Sequence, residues 1–176
     1  MTPDFTIRPW KIEDVSDLVA NANNPKIARF MTDGFPHPYG IDNGMAFIEM
    51  ANKDNPVHIF CIDVNGEAAG GIGLHPQQDI QKKNAELGYW LAEKYWGKGI
   101  ITQAIDWIVD YGFATYDITR IFARPFGHNL ASQRVLEKSG FKLEARFEKT
   151  LFKNGEYVDE LVYAIRRNSV PFKFDE

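Results

Sequence analysis

Three groups of residues in this sequence have the types and the spacing to bind or transform a small molecule. The first is the segment Trp96-Gly97-Lys98-Gly99, which separates a strand pattern from a helix pattern. The second is Glu86, a carboxylate inside an otherwise apolar strand pattern, and the third is the pair Asn129 and Ser132. The first group is suited to anion binding, and the other two to proton transfer and ligand positioning.

The glycine segment comes directly before a predicted helix. Residues 85–91 read as a largely buried strand, and the apolar residues from Ile101 to Gly112 recur at the three- and four-residue spacing of a helix packed on a sheet. Glycines at such a junction leave backbone N–H groups unpaired where the helix macrodipole adds positive charge, which favours a phosphate or pyrophosphate. An ordinary strand-to-helix turn is the alternative. Neither a P-loop nor a Gly-x-Gly-x-x-Gly segment occurs here, which disfavours a nucleoside triphosphatase or a Rossmann dehydrogenase.

Glu86 is a candidate general base. A carboxylate in so apolar a strand needs hydrogen bonds or solvent, because burying its charge unpaired is costly. Partial burial would make it a better proton acceptor, and its position one strand before the glycine segment favours a catalytic role. The alternative is an outward-facing glutamate on the protein surface.

Asn129 and Ser132 are three residues apart at the start of a second predicted helix. This spacing places both side chains on one side of the first helical turn, where both could face a ligand. The alternative is helix capping by Asn129, which would explain the asparagine but gives no reason for the serine.

The remaining reactive side chains suggest no further chemistry. The four histidines lack metal-ligand spacing and there is no second cysteine, so we expect no metal site. Cys61 lies in the apolar run 59–62 and is predicted to be a core thiol, with a catalytic thiolate as the alternative. His37 lies between two prolines in an aromatic loop and could line a pocket, or be a plain loop histidine.

Composition sets the class of protein. A length of 176 residues with 44% apolar and 14% aromatic residues is typical of one folded domain, which we place at residues 1–167 with a tail at 168–176. The net charge of −4 argues against a general nucleic-acid or anionic-membrane partner. No signal peptide or long apolar span is visible, so a cytoplasmic location is expected.

The elements that must position these residues alternate between the two periodicities. Helices are predicted at Asp14–Asn23, near Asp42–Asn52, from the glycine segment to about Ala114, and from Asn129 to Gly140. Strands are predicted at Phe5–Trp10, Val57–Val64, Ala68–Leu74, Glu86–Leu91, Thr119–Arg124, Phe141–Phe152 and Tyr157–Ile165. Two hairpins, around Asn65-Gly66 and around residues 153–156, complete a mixed α/β sheet with helices on both faces.

Over nearly its whole length, the sequence resembles the GNAT superfamily of N-acetyltransferases, in particular the RimJ/RimL-like branch. The resemblance implies an α/β (α+β) fold whose central sheet is mostly antiparallel, with helices on both faces. The segments that carry it are Ile7-Arg8-Pro9-Trp10 with Asp14, residues 86–91, residues 95–104, Asn129-Leu130-Ala131-Ser132, and residues 136–141.

The resemblance also implies acetyl-CoA as co-substrate. The family's cofactor loop, Gln/Arg-x-x-Gly-x-Gly/Ala, falls on residues 96–101, where Gly99 matches and Trp96 and Ile101 depart from it. Because backbone N–H groups hold the pyrophosphate, these departures leave the physical basis of the loop intact. The residues expected to contact the cofactor are Tyr89, Trp90, Leu91, Trp96, Gly97, Lys98, Gly99, Ile100, Ile101, Thr102, Asn129 and Ser132.

By the same resemblance, Glu86 takes the proton of the amine, directly or through a water. The tyrosine that serves many members as general acid falls on Leu136, and Ser132 is the proposed substitute in this branch. The expected reaction is direct transfer of an acetyl group to a primary amine in a ternary complex, the acceptor possibly being a protein N-terminus. The residues expected around the acceptor are Phe30, Phe35, His37, Tyr39 and Glu86.

Two alternatives stay open at this stage. The acceptor could be a small-molecule amine such as a polyamine, an amino acid or an antibiotic. The protein could also be a non-catalytic acyl-CoA-binding sensor on the same fold. A monomer or a homodimer is expected, without nucleic-acid or membrane partners.

Overall fold

One mixed sheet and the helices on its two faces make up the molecule. The computed structural model describes residues 3–167, so the predicted tail at 168–176 lies outside the described residues. The strands are β1 (Phe5–Pro9), β2 (Ile59–Val64), β3 (Glu67–Pro76), β4 (Asn84–Leu91), β5 (Arg120–Ala123), β6 (Lys142–Lys153) and β7 (Glu156–Arg166). The helices are α1 (Val15–Ala22), α2 (Pro25–Ala28), α3 (Ile41–Ala51), α4 (Ile100–Thr115) and α5 (Leu130–Lys138).

The predicted elements are confirmed apart from their ends and one helix. The short helix α2 was not predicted, because Asn24-Pro25 reads as the end of a helix. In the structure these two residues begin a new one: the Asn24 side chain accepts a hydrogen bond from the Lys26 N–H at 2.9 Å, and proline occupies the first helical position.

The sheet has the order β1-β2-β3-β4-β5-β7-β6. Every neighbouring pair is antiparallel except β4 and β5, which run parallel. This arrangement confirms the predicted mixed, mostly antiparallel sheet.

The parallel pair separates part of the way along β4. Its register ends at the pair Glu86 and Phe122, whereas β4 continues to Leu91 and stays paired with β3 over that length. Residues 87–91 therefore have no ladder partner on the β5 side among the described residues. Their backbone groups on that side border an opening between β4 and β5, which we call the β4–β5 opening.

The main core lies between the sheet and helices α4 and α5. Alternate residues of β4, such as Leu87 and Leu91, pack there against Ala104, Ile105 and Ile108 of α4. Burying side chains of this size contributes about 1.5–3 kcal/mol each, so this packing fixes α4 against the end of β4.

A second core lies on the opposite face, under α1 and α3. It contains Trp10, Leu18, Ile48 and Trp90 together with Cys61, which is fully buried. Burial raises the pKa of Cys61 to about 12, so its thiolate is not populated near neutral pH. This confirms Cys61 as a core thiol and leaves the catalytic thiolate without support.

Side chains of β4 alternate between these two faces. Leu87 and Tyr89 face α4 and α5, so Glu86 and Gly88 face the other way. On the face that carries Glu86, the second core covers strands β1 to β3. The side chains of Glu86 and Arg124 lie outside this core and are 27% and 49% exposed. We call the uncovered part of this face, at strands β4, β5 and β7, the open face. Within residues 3–167, no helix has both the length and the apolar character needed to cross a membrane.

Candidate active site

The glycine segment forms a tight turn between β4 and α4. Gly97 and Gly99 have φ angles of 72° and 78°, in the left-handed region that favours glycine. The first N–H groups of any α-helix have no intrahelical acceptor. In this 16-residue helix the N-cap residue is Gly99, which offers them no side-chain acceptor either. The helix therefore presents unpaired backbone donors and the positive end of its dipole beside the end of β4.

Side chains next to the turn attach it to the sheet. The indole N–H of Trp96 donates to the carbonyl oxygen of Leu91 at 2.7 Å, and the Tyr95 hydroxyl donates to Glu67 at 2.9 Å. The departure from the family pattern at Trp96 thus has a structural use, because this side chain holds the turn against β4.

The predicted cofactor residues divide into two kinds. The side chains of Leu91 and Ile100 are in the main core and that of Trp90 is in the second core. These three residues could reach a ligand through backbone atoms only. Lys98 is exposed and its ammonium lies 5.2 Å from the centre of the Tyr95 ring, while Ile101 and Thr102 are half-buried.

At the start of α5, Asn129 caps the helix and Ser132 makes a contact of its own. The Asn129 side chain accepts a hydrogen bond from the Ser132 N–H at 3.2 Å, which confirms the capping alternative for the asparagine. The Ser132 hydroxyl lies 2.6 Å from the hydroxyl of Tyr89, on the α4–α5 side of the sheet. Leu136 is fully buried in the main core, so its side chain does not reach the opening.

Glu86 forms an ion pair with Arg124 on the open face. Arg124 Nε and Nη2 donate to the two carboxylate oxygens at 2.9 and 3.0 Å, and Nη1 lies 3.3 Å from Glu160. The hydrogen bonds to Glu86 raise the pKa of Arg124 above its usual value. Each oxygen of Glu86 keeps a further lone pair for a water or an ammonium group.

A second charged group extends the open face. Arg120 donates to Glu144 at 2.6 Å, and Arg166 pairs with the same carboxylate. Arg120 also lies over the Phe122 ring, 4.7 Å from its centre. A cavity of about 390 Å³ on this face is lined by Gln77, Gln81, Asn84, Glu86, Arg120, Phe122, Arg124 and Val162.

The Tyr89–Ser132 pair and the Glu86–Arg124 pair lie on opposite sides of strand β4. Tyr89 and Ser132 are on the α4–α5 side of the sheet, and Glu86 is on the open face three residues before Tyr89. The β4–β5 opening connects the two sides. A thioester carbonyl in the opening could be reached by a proton donor from one side and by an amine from the other.

Two of the three predicted acceptor aromatics lie together, because the ring centres of Phe35 and Tyr39 are 5.2 Å apart in the second core. Phe35 packs on Trp90 in the second core, and Tyr39 is 4% exposed with its pKa raised to about 12 by burial. Phe30 is half-buried against His128, with ring centres 5.3 Å apart. Their contact with an acceptor stays a prediction.

His37 lies apart from Glu86. It borders another cavity, of about 320 Å³, where the loop between α2 and α3 meets the tip of the β6–β7 hairpin at Lys153 and Asn154. His37 and Glu86 therefore line two different cavities.

Sequence reasoning missed Arg124 and Glu160. Arg124 is 38 residues from Glu86, and only the parallel register of β4 with β5 brings the two together. Tyr89 was predicted as a cofactor contact, but its contact with Ser132 was not. Strand alternation gives part of that signal, because Ala85, Leu87 and Tyr89 share one face. Within residues 3–167, no three His, Cys, Asp or Glu side chains are grouped so that they could hold a metal ion.

Comparison with known proteins identifies the family. Residues 4–142 match the acetyltransferase (GNAT) domain model, so the chain belongs to the GNAT acetyltransferase family. It is 36% identical over 166 residues to the uncharacterized N-acetyltransferase YnaD of Bacillus subtilis, covering 93% of this chain and 94% of that protein. It is 27% identical to the spermidine N(1)-acetyltransferase of Escherichia coli, covering 86% and 80%.

Other relatives are matched over part of their length. The ribosomal-protein-serine acetyltransferase of Escherichia coli is 31% identical over 65% of this chain and 64% of that protein. The chain spans about half the length, 55%, of the Bacillus subtilis relatives YoaA and YdaF.

Two solved structures share the fold. The microcin C7 self-immunity acetyltransferase MccE, solved with acetyl-CoA and AMP, has a TM-score of 0.79 at 27% identity, covering 93% of each chain. RimL, an alpha-N-protein acetyltransferase of ribosomal L7/L12 solved with coenzyme A, has a TM-score of 0.82 at 22% identity, covering 92% of this chain and 93% of that one.

Proposed function

We propose that this protein transfers an acetyl group from acetyl-CoA to a primary amine by direct attack in a ternary complex. The observation that carries the proposal is the β4–β5 opening, with an uncapped helix start at one end and acid–base side chains on both sides. The family membership of the chain and the acetyl-CoA bound to MccE support the same co-substrate.

The opening offers complementary groups along its length. Pyrophosphate oxygens would accept hydrogen bonds from the backbone of residues 97–102, where the dipole of α4 favours negative charge. The amide-containing arm of the co-substrate would then run beside residues 87–91, whose backbone groups lack a β5 partner. This path ends with the thioester beside Ser132 and Tyr89.

The acceptor amine would approach from the open face beside Glu86. Its ammonium form loses a proton to Glu86, directly or through a water, at a lone pair that the hydrogen bonds from Arg124 leave free. The amine nitrogen then bonds to the acetyl carbon as the carbon–sulfur bond breaks. The nitrogen releases its second proton to water, and the thiolate takes up one proton. Much of the rate enhancement would come from holding both substrates in line within the opening.

The charges of the open face favour an acceptor with one amine over a polyamine. Three carboxylates of this face are paired with arginine: Glu86 and Glu160 with Arg124, and Glu144 with Arg120. A second or third ammonium group of a polyamine would find no unpaired carboxylate among these. A peptide N-terminus carries one such amine, so we favour it, in line with the relative that acts on ribosomal-protein serine.

A turnover screen tests this proposal. The protein is incubated with acetyl-CoA and with N-terminal peptides, the same peptides already acetylated, spermidine, amino acids or aminoglycosides. Thiol release is followed and the product mass is measured. We expect free-amine peptides to gain one acetyl group and blocked peptides to stay unchanged.

Two other outcomes would change the conclusion. Faster acetylation of spermidine than of every peptide would contradict the charge argument and favour the small-molecule alternative. Saturable acetyl-CoA binding without turnover of any amine would favour the sensor alternative. A cytoplasmic location and a monomeric or homodimeric state stay predictions.

A further inference from the structure

The contact between Tyr89 and Ser132 joins the strand and the helix that border the β4–β5 opening. Their hydroxyl oxygens are 2.6 Å apart, the distance of a strong O–H···O hydrogen bond. Tyr89 comes from β4 and Ser132 from the first turn of α5, so the bond links the two elements on the α4–α5 side of the opening, beside the proposed thioester position. The mechanism above does not use the Tyr89 hydroxyl.

A serine hydroxyl on its own is a weak acid for this step. If Ser132 protonates the leaving thiolate alone, it is left as an alkoxide beside a largely apolar core. A neighbouring donor that refills the serine in the same step avoids that charge. The donors in contact with the Ser132 side chain therefore decide whether it can act as an acid.

Tyr89 has the properties of such a donor. Its ring packs against the main core, and burial raises the pKa of its hydroxyl to about 12. The phenol is thus fully protonated at neutral pH. A phenol is nevertheless a far stronger acid than an aliphatic hydroxyl, and tyrosine is an established general acid in enzymes.

We propose that Tyr89 supplies the proton that Ser132 passes to the leaving thiolate. This inference rests on the proposed acetyl transfer. As the carbon–sulfur bond breaks, the Ser132 proton moves to the sulfur and the Tyr89 proton moves to Ser132 Oγ. The tyrosinate that remains takes a proton from solvent. Of the two protons that the ammonium group loses in becoming an amide, one is thus consumed here and one is released to solvent.

Substitution of each hydroxyl, singly and together, tests the relay. Tyr89→Phe keeps the ring and removes the donor, and Ser132→Ala removes the relay atom. Each should slow single-turnover acetyl transfer by about 100-fold, the lower end for an acid–base group, while the dissociation constant of acetyl-CoA changes little. Because both substitutions break one pathway, the double variant should be no slower than either single variant.

Two further measurements separate proton supply from a structural role. Tyr111→Phe is the matched control, since the Tyr111 hydroxyl donates to the Val57 carbonyl oxygen at 2.6 Å, away from the opening. It should turn over at the wild-type rate. The solvent deuterium isotope effect on the wild-type single-turnover rate should be larger than that of Tyr89→Phe, because fewer protons move in the variant.

Each other outcome overturns the relay. A wild-type rate in Tyr89→Phe with a slow Ser132→Ala would make Ser132 the sole acid. Wild-type rates in both would mean that the thiolate leaves unaided, and a change confined to acetyl-CoA affinity would make Tyr89 a binding residue. A wild-type protein that acetylates no amine would overturn the proposed function and the relay together.

Discussion

Replacing Glu86 with glutamine tests the base assignment most sharply. The substitution keeps the size of the side chain and its ability to accept a hydrogen bond from Arg124, but it removes the charge that accepts the proton of the amine. Turnover near neutral pH should therefore fall, while acetyl-CoA affinity should hardly change. The deficit should shrink at high pH, where the free amine is already abundant.

The structure sets the size of each effect. Loss of one acid–base group costs about 100-fold in rate, which is about 2.7 kcal/mol of barrier. The ion pair between Glu86 and Arg124 is partly exposed, at 27% and 49%, so its loss should cost at most about 1 kcal/mol of stability. In a domain of this size that lowers the melting temperature by about 2–4 °C.

The assay is the pH dependence of kcat with the best peptide of the screen, together with thermal unfolding. Glu144→Gln is the matched control, because Glu144 pairs with Arg120 on the same face but is not beside the opening. Glu160→Gln tests the other carboxylate on Arg124. A wild-type rate in Glu86→Gln would refute Glu86 as the general base. If Glu160→Gln were slow in the same assay, the base would be Glu160 instead.

Three further predictions concern the cofactor turn and the fold. Acetyl-CoA at 100 times its dissociation constant should stabilise the wild-type protein by about 2.7 kcal/mol, measured as a rise in melting temperature. Gly99→Val should abolish this rise, because valine does not fit a φ of 78° in the turn. An unchanged rise in the folded variant would contradict the proposed cofactor site. Burial would raise the pKa of Asp14, but the hydrogen bonds from Arg8 and from the Lys11 N–H, together with the positive charges of these two residues, outweigh it, so its pKa is lowered in the fold. Asp14→Asn should therefore lower the melting temperature at pH 7, and its deficit should disappear as pH falls through the lowered pKa. Gly112→Ala would place a Cβ 2.4 Å from Leu74 Cδ1 and should cost about 1–3 kcal/mol, measured by denaturant unfolding; wild-type stability would mean that Leu74 moves freely.

The fold was predictable because its signals are local. The hairpin at Asn65-Gly66 is a two-residue turn in which both residues have positive φ angles, a conformation that this pair of residue types favours. The helix after Gly99 shows its apolar face within one stretch of sequence. The short helix at Pro25 was missed because the same proline signal that ends one helix also begins another.

The candidate site was only partly predictable because its contacts are long-range. The turn at Gly97 and Gly99 could be predicted, because glycine is the residue type that most readily adopts the positive φ angles seen there. The partner of Glu86 is not visible, because Arg124 meets it only through a parallel strand register that no local pattern encodes. The same holds for Tyr89 and Ser132, which are 43 residues apart.

The central claim is that acetyl-CoA binds in the β4–β5 opening, and a crystal structure of the complex with coenzyme A tests it most directly. We expect the pyrophosphate within hydrogen-bond distance of backbone N–H groups in residues 97–102, and the sulfur within reach of the Ser132 hydroxyl. Coenzyme A bound elsewhere, for example in the cavity beside His37 and Lys153, would contradict the account.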